Sequence, residues 1–272
     1  MTSIEALSVS DPATVRRPRQ YFLNAPFDLI DHDSVVEMIA CAEPAGRFRY
    51  VVTPNADHVV RLNREPGLRP YYDTAWLTLC DSRPISLFAR TRSRQMTHVT
   101  GSDLTVSLFR SVVRPGDRIA LIASSEQVAC DLRSAYPDID FRVHVPPMGL
   151  WTNPRAQSDC VEFALREGGR FLFITVGAPQ SEKIAYLLSQ QASATGIGFC
   201  VGASLEFLVG TRKRAPSWMR SLSLEWLHRL ATDPKRLWRR YVHGVVPLLV
   251  LFSVELRNRR PDRKLPDRRT KK

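Results

Sequence analysis

The stretch RFLFITVGAPQSEK, Arg170–Lys183, decides the fold. Its apolar run is strand-length, a tight turn with Gly177 and Pro179 follows at once, and the polar residues after the turn open a helix. GIGFCVGASLEFLVG, Gly196–Gly210, repeats the same plan one unit later. Working outward, RYVVTPN (Arg49–Asn55) leads into the helical ADHVVRLNRE, and AWLTLCD (Ala75–Asp81) leads toward the helical SDLTVSLFRSVV. DRIALIASS (Asp117–Ser125) is followed by EQVACDLRSAY, and FRVHVPP (Phe141–Pro147) reads as a further strand. Short apolar runs alternating with helices predict an α/β, Rossmann-like fold, with a mostly parallel sheet covered by helices on both faces. Ligands of such sheets bind at the carboxyl ends of the strands. The polar residues just beyond the runs are therefore the first candidates: Thr53, Asn55, Asp81, Ser124, Ser125, Gln180, Glu182 and Ser204.

The character of the chain changes after Gly210. From Thr211 to Lys272 there are 18 Lys and Arg against 5 Asp and Glu, a net of +13, leaving 21 against 22 over residues 1–210. Trp218, Trp226, Trp238 and Tyr241 are interleaved with arginines at roughly helical spacing. The apolar stretch Val245–Leu256 is about half of the ~20 residues that span a bilayer, and Pro247 interrupts it. Basic residues mixed with Trp and Leu predict a helical segment lying on an anionic membrane surface rather than on nucleic acid. The predicted organisation is a disordered leader (1–18), an α/β catalytic domain (19–210), a basic amphipathic appendage (211–256) and a disordered basic tail (257–272).

Composition narrows the class. A hydrophobic content of 44% with 24% charged residues suits a soluble globular chain, and 272 residues bury a sizeable core. The five scattered cysteines form no C-x-x-C pair, which suits a reduced, cytosolic setting. The N-terminus lacks an apolar core of signal-peptide length.

Each motif carries a chemical and a plain reading. TVGAPQSEK (Thr175–Lys183) offers Gly177 for close backbone approach, and helix-start N–H groups for phosphate or sugar oxygens; it is equally a strand-to-helix turn with Glu182 favouring the helix dipole. Thr53 and Asn55 flank Pro54 at a strand end, where Asn55 either bonds a ligand or caps the next helix. In VTGSDLTV (Val99–Val106), Gly101 suits a close approach, with Ser102 or Asp103 as an N-cap. The Asp138–Asp140 triplet has the D-x-D form that holds divalent metals, but alternation in YPDIDFRV puts both carboxylates on one solvated face. The six histidines are dispersed, with no i, i+4 pair suggesting zinc. Asp81, at the end of an apolar run and beside Arg83, is placed for general-base work or for turning the chain.

The order VVTPNADHVV, CDSRPIS, VTGSDL, ITVGAPQSEK, CVGASLEFLVGTRKRAP and LEWLHRLATDPKRLWRRY resembles the WecG/TagA/CpsF family of glycosyltransferases, over roughly Tyr21 to Leu256. The G-x-x-x-R-A-P element with the later E-W-x-x-R-L segment is the specific part of this resemblance. It implies inverting, metal-independent and cofactor-free transfer of a sugar from a UDP-sugar to a polyprenyl-diphosphate-linked saccharide, in exopolysaccharide or other cell-surface polysaccharide synthesis. Several members add N-acetylmannosamine and others add glucose or related sugars. The implied catalytic residues are Asp81 as base with Thr53. Asn55, Gly101, Asp103, Gly177, Pro179, Gln180, Glu182, Gly202 and Ser204 are the implied substrate-binding set. Arg212, Arg214, Arg229, Arg236, Arg239 and Arg240 are implied contacts for the acceptor diphosphate or lipid headgroups. The implied location is cytoplasmic, peripheral on the inner face of the cell membrane, with a homo-oligomer allowed.

The sequence also departs from the family. Asp81-Ser82-Arg83-Pro84 stands where the family has Asp-Gly-x-Gly, Ser181 replaces a Gln, and Gly202-Ala203-Ser204-Leu205-Glu206 replaces Gly-Gly-x-Phe-Asp. The loop after the third run reads IASSEQ where the family carries a glycine. These changes bear on the donor sugar rather than the fold. They also admit an alternative, a non-catalytic chain that binds nucleotide sugar or lipid-linked saccharide as a partner in polysaccharide assembly.

Overall fold

The computed structural model describes residues 18–43, 46–92, 94–211, 219 and 234–257, with the side chains of the last stretch described from 244 onward. The predicted leader lies outside the described residues but for Pro18, as does the tail beyond Arg257.

Six parallel strands form the described sheet: β3 (Arg49–Val52), β4 (Leu77–Thr78), β5 (Arg118–Ile122), β6 (Asp140–His144), β7 (Phe171–Ile174) and β8 (Ile197–Cys200). Their order is β4-β3-β8-β7-β5-β6, every pairing parallel. Alternation along each strand divides the core into two layers. Tyr50, Val52, Ala120, Ile122, Leu172, Ile174 and Cys200 face one layer; Val51, Ile119, Leu121, Phe171, Phe173, Ile197 and Phe199 face the other. The first layer is covered by α2 (Ala56–Arg64), α3 (Arg69–Asp73), α4 (Arg83–Arg90), α7 (Pro154–Glu167) and α8 (Gln180–Ser189). The second lies under α1 (His32–Ala40), α5 (Gly101–Ser111), α6 (Glu126–Ala135) and α9 (Ser204–Leu208). The predicted Rossmann-like architecture is thus the observed one.

Two departures from the expected course concern the edge strand. AWLTLCD forms only a two-residue strand, although Trp76, Leu79 and Asp81 donate in turn to the carbonyls of Tyr50, Val52 and Pro54 and so keep the run alongside β3. The helix expected after it is preceded by α4, which begins two residues past Asp81 with Pro84 in its first turn. An N-terminal hairpin, β1 (Arg19–Phe22) and β2 (Ala25–Asp28), was not legible as strands and packs against β4. Its two-residue turn holds Leu23 and Asn24 at φ of 52° and 60°, the left-handed geometry that matches strand twist. Asn63 on α2 secures that turn, donating to the Leu23 carbonyl at 2.8 Å and accepting from Asn24 at 2.9 Å.

The entry to β8 depends on glycine. Gly196 has φ of +88°, and a Cβ there would collide with the Gly169 carbonyl oxygen and crowd that of Arg170. Gly196→Ala combines a left-handed backbone with a steric clash, so it is expected to cost about 2–4 kcal/mol of stability, read from urea denaturation. A loss below about 0.5 kcal/mol would show that the β7–β8 edge relaxes freely.

Helix α10 (Pro234–Arg257) docks on the first layer. Leu248 is buried in that core, and Leu251 and Phe252 pack against it. Phe252 stacks on Phe88 of α4 with centroids 4.0 Å apart, and Glu255 pairs with Arg94 at 3.8 Å. A Cβ on Gly244 would stand 3.0 Å from Asp57 Oδ1, so this glycine lets α10 approach the first turn of α2. On the opposite side Val245, Val246, Leu249, Val250, Val254 and Leu256 are 45–56% exposed. No helix among the described residues is long and apolar enough to cross a membrane.

Candidate active site

The strand order sets the loops after β4, β3, β8, β7 and β5 side by side along the carboxyl edge of the sheet. These loops carry Asp81, Thr53 with Asn55, Gly202, Gly177, and Ser124 with Ser125. The sequence-predicted candidates from distant parts of the chain therefore fall on one edge, because parallel connections return every strand in the same sense.

At one end of this row Asp81 is half-buried, and its Oδ2 accepts the Gly101 N–H at 3.3 Å. The Asp81 N–H donates to the Pro54 carbonyl at 3.1 Å, tying its loop to the Thr53-Pro54-Asn55 turn. Thr53 is buried and donates its hydroxyl to the Cys200 carbonyl at 3.3 Å, which links the ends of β3 and β8. Gly101 fits between them: a Cβ there would lie 3.1 Å from Thr53 Oγ1 and 3.2 Å from Val201. The close approach read for Gly101 is thus made to the protein's own backbone and side chains. A side chain at position 101 would push α5, and with it the N–H that orients Asp81.

Asn55 occupies the N-cap of α2, its Oδ1 accepting from the N–H groups of Asp57 at 3.0 Å and His58 at 3.4 Å. The capping reading is therefore realised, and the cap fixes the side chain at the edge of the row. For α5 the cap is Thr100, two or three residues before the Ser102 or Asp103 expected. Thr100 Oγ1 accepts the Asp103 N–H at 3.0 Å and donates to Asp103 Oδ2 at 2.7 Å, a reciprocal capping arrangement that commits the Asp103 carboxylate to the helix start. Ser204 is also engaged inside the protein, buried with its Oγ 2.9 Å from the Thr105 hydroxyl, which donates to the Gly101 carbonyl.

The middle of the row is more open. Gly177 and Gly202 have φ of +84° and +57°, and nothing lies within 4 Å of a Cβ at either. Pro179 stands at the N-cap of α8, and Gln180 donates back to the Val176 carbonyl at 3.2 Å. Glu182 departs from its dipole reading. It is 2% exposed, its Oε2 has no hydrogen-bond partner, and burial pushes its carboxyl up to about 7.

The other predicted groups are dispersed. Asp140 lies at the start of β6, at the opposite edge of the sheet, where Arg142 at 3.0 Å and Arg118 at 3.1 Å hold its carboxyl below the usual range. Among the described residues no cluster of His, Cys, Asp or Glu could hold a metal ion. Arg212, Arg214 and Arg229 lie outside the described residues; Arg236, Arg239 and Arg240 belong to α10, with side chains outside them. Sequence reasoning missed the part played by the Cys200 carbonyl and by Thr105. No residue-type signal marks a backbone carbonyl, and Thr105 reads as an ordinary helical residue.

The model of the WecG/TagA/CpsF glycosyl transferase family matches residues 20–262 of this chain. An N-acetylglucosaminyldiphosphoundecaprenol N-acetyl-beta-D-mannosaminyltransferase of Bacillus subtilis (strain 168) is 28% identical over 187 residues, covering 63% of this chain and 68% of that protein. Its counterpart in Bacillus spizizenii (strain ATCC 23059 / NRRL B-14472 / W23) is 24% identical over 199 residues, covering 70% and 74%. The edge that gathers Thr53, Asn55 and Asp81 lies wholly within the matched span, and the chain belongs to the WecG/TagA/CpsF family: it is a glycosyltransferase.

Proposed function

We propose that this glycosyltransferase moves a sugar from a UDP-sugar to a polyprenyl-diphosphate-linked saccharide, with inversion at the anomeric carbon, in the synthesis of a cell-surface polysaccharide. The observation that carries the reading is the Asp81 carboxylate, oriented by the Gly101 N–H at the carboxyl edge of the sheet. The acceptor class is taken from the relatives, which act on N-acetylglucosaminyldiphosphoundecaprenol. In one displacement an acceptor hydroxyl forms the new bond to the anomeric carbon while the bond to UDP breaks. The hydroxyl proton passes to Asp81, and UDP leaves with the electron pair. The developing charge on UDP meets the N-terminal turn of α8, beside the open Gly177.

The same reading puts the enzyme on the inner face of the cell membrane, where a polyprenyl-linked acceptor is presented. The exposed aliphatic face of α10 supports it, flanked in sequence by Arg236, Arg239 and Arg240 before and Arg257, Arg259 and Arg260 after. A panel of UDP-sugars with N-acetylglucosaminyldiphosphopolyprenol in vesicles tests the reaction. The expected outcome is acceptor-dependent UDP release with one donor, and a product of inverted configuration by NMR. UDP release with no donor in the panel, or retention of configuration, overturns the proposal.

A further inference from the structure

The displacement just described makes no use of the Glu182 carboxyl itself, which is costly where it sits. The third residue of a helix is where a glutamate ordinarily reaches back to the N–H of the cap residue. Here the cap is Pro179, which has no N–H, so that bond is unavailable. The side chain is buried instead, facing its own backbone N–H, with Oε2 unpartnered. A buried, incompletely bonded carboxyl is disfavoured against an apolar residue of the same size.

Its surroundings point back to the candidate site. Helix α8 packs on α3, α7, β3, β7 and β8. From these elements the titratable groups around Glu182 are Tyr72 on α3, Tyr50 on β3 and Cys200 on β8, each raised further by the carboxylate's charge, with the cation Arg61 on α2 opposing. In the same core, α7 contributes Cys160, and β7 contributes the apolar Leu172 and Ile174. Cys200 joins this cluster to the row above: its carbonyl accepts the Thr53 hydroxyl, Thr53 abuts Gly101, and the Gly101 N–H holds Asp81.

We propose that Glu182 is a positioning residue that acts, in its neutral form, through Cys200 and Thr53 to keep Gly101 and Asp81 in register, and that its ionisation disengages them. Ionisation in this core draws the first turn of α8 toward water or Arg61, away from Cys200. Burial pushes the carboxyl up to about 7, outweighing the opposing effects of its own N–H and Arg61. Folding raises it from 4.5 to about 7, so the folded state binds the extra proton in that window. The stability that comes with this proton is complete below the unfolded value and is lost as pH rises through the folded one.

The inference rests on the Asp81 reading, and the test separates the two. Turnover is followed as acceptor-dependent UDP release between pH 6 and pH 9, for wild type and Glu182→Gln. A single ionisation predicts a loss of about tenfold per pH unit above about 7 in wild type, and less than about threefold over the whole range in the variant. An equal alkaline loss in both proteins, or a wild type without one, overturns the positioning role and leaves Asp81 untouched. Infrared difference spectra of the wild type between the same pH values, which need no variant to fold, are expected to show a protonated carboxyl band lost at high pH. A band that is absent at pH 6 also overturns the proposal. Failure of Asp81→Asn to impair turnover would remove the base assignment without altering either readout.

Discussion

Asp81→Asn is expected to lower turnover by about 10²- to 10⁴-fold, the range contributed by a positioned general base. The substitution keeps the shape of the side chain, and its amide oxygen can still accept the Gly101 N–H that orients Asp81. The backbone bond from position 81 to the Pro54 carbonyl is also preserved. Both bonds can thus persist, while the charge of the carboxylate and its capacity to take a proton are removed. UDP binding by calorimetry and the thermal midpoint are both expected to stay close to wild type. Turnover within about threefold of wild type would show that the proton goes elsewhere. A large drop in UDP affinity would show that the carboxylate binds rather than reacts.

The second large effect concerns the outward face of α10. Val246→Glu combined with Val250→Glu is expected to abolish flotation with vesicles containing anionic lipid. Both residues are more than half exposed, at 55% and 56%, so the protein fold has little to lose. The membrane contact loses about 1 kcal/mol or more of apolar burial per side chain and gains two carboxylates opposite an anionic surface. Together these correspond to at least about 100-fold weaker binding. Wild-type flotation would place the membrane contact elsewhere. A change in sedimentation without a change in flotation would assign this face to a second copy of the chain. Because Leu248, Leu251 and Phe252 hold the inner side, activity on a water-soluble acceptor is expected to survive the double substitution.

The layered fold was legible because each buried strand of a parallel sheet announces itself as an unbroken apolar run, as in Phe171–Ile174 and Ile197–Cys200. The hairpin was not, because Arg19-Gln20-Tyr21-Phe22 and Ala25-Pro26-Phe27-Asp28 carry polar residues and a proline that an edge ribbon tolerates. Helix α4 was hidden by its opening residues, which read as a turn. At the site, Thr53, Asn55 and Asp81 stood out as polar residues at the ends of apolar runs. Gly101 stood out too, although its neighbours proved to be Thr53 and Val201. Glu182 illustrates the opposite case: its place in a first helical turn predicts an exposed carboxylate, and only the packing of α8 on β3 and β8 shows it buried.

The two margins of the sheet bear on how copies of this protein can meet. At β4 the outward polar groups are occupied by side chains: the Thr78 N–H donates to Asp28 at 2.7 Å, and Arg19 donates to the Ala75 carbonyl at 2.8 Å. Arg19 in turn grips Asp28 through two bonds of 2.8 Å, so this lock is itself held shut. At β6 the margin carries the charged trio of Arg118, Asp140 and Arg142, and Pro146 and Pro147 follow its end. Among the described residues the β4 side is tied off by side chains and the β6 side carries charge, features that disfavour edge-to-edge pairing with a foreign strand.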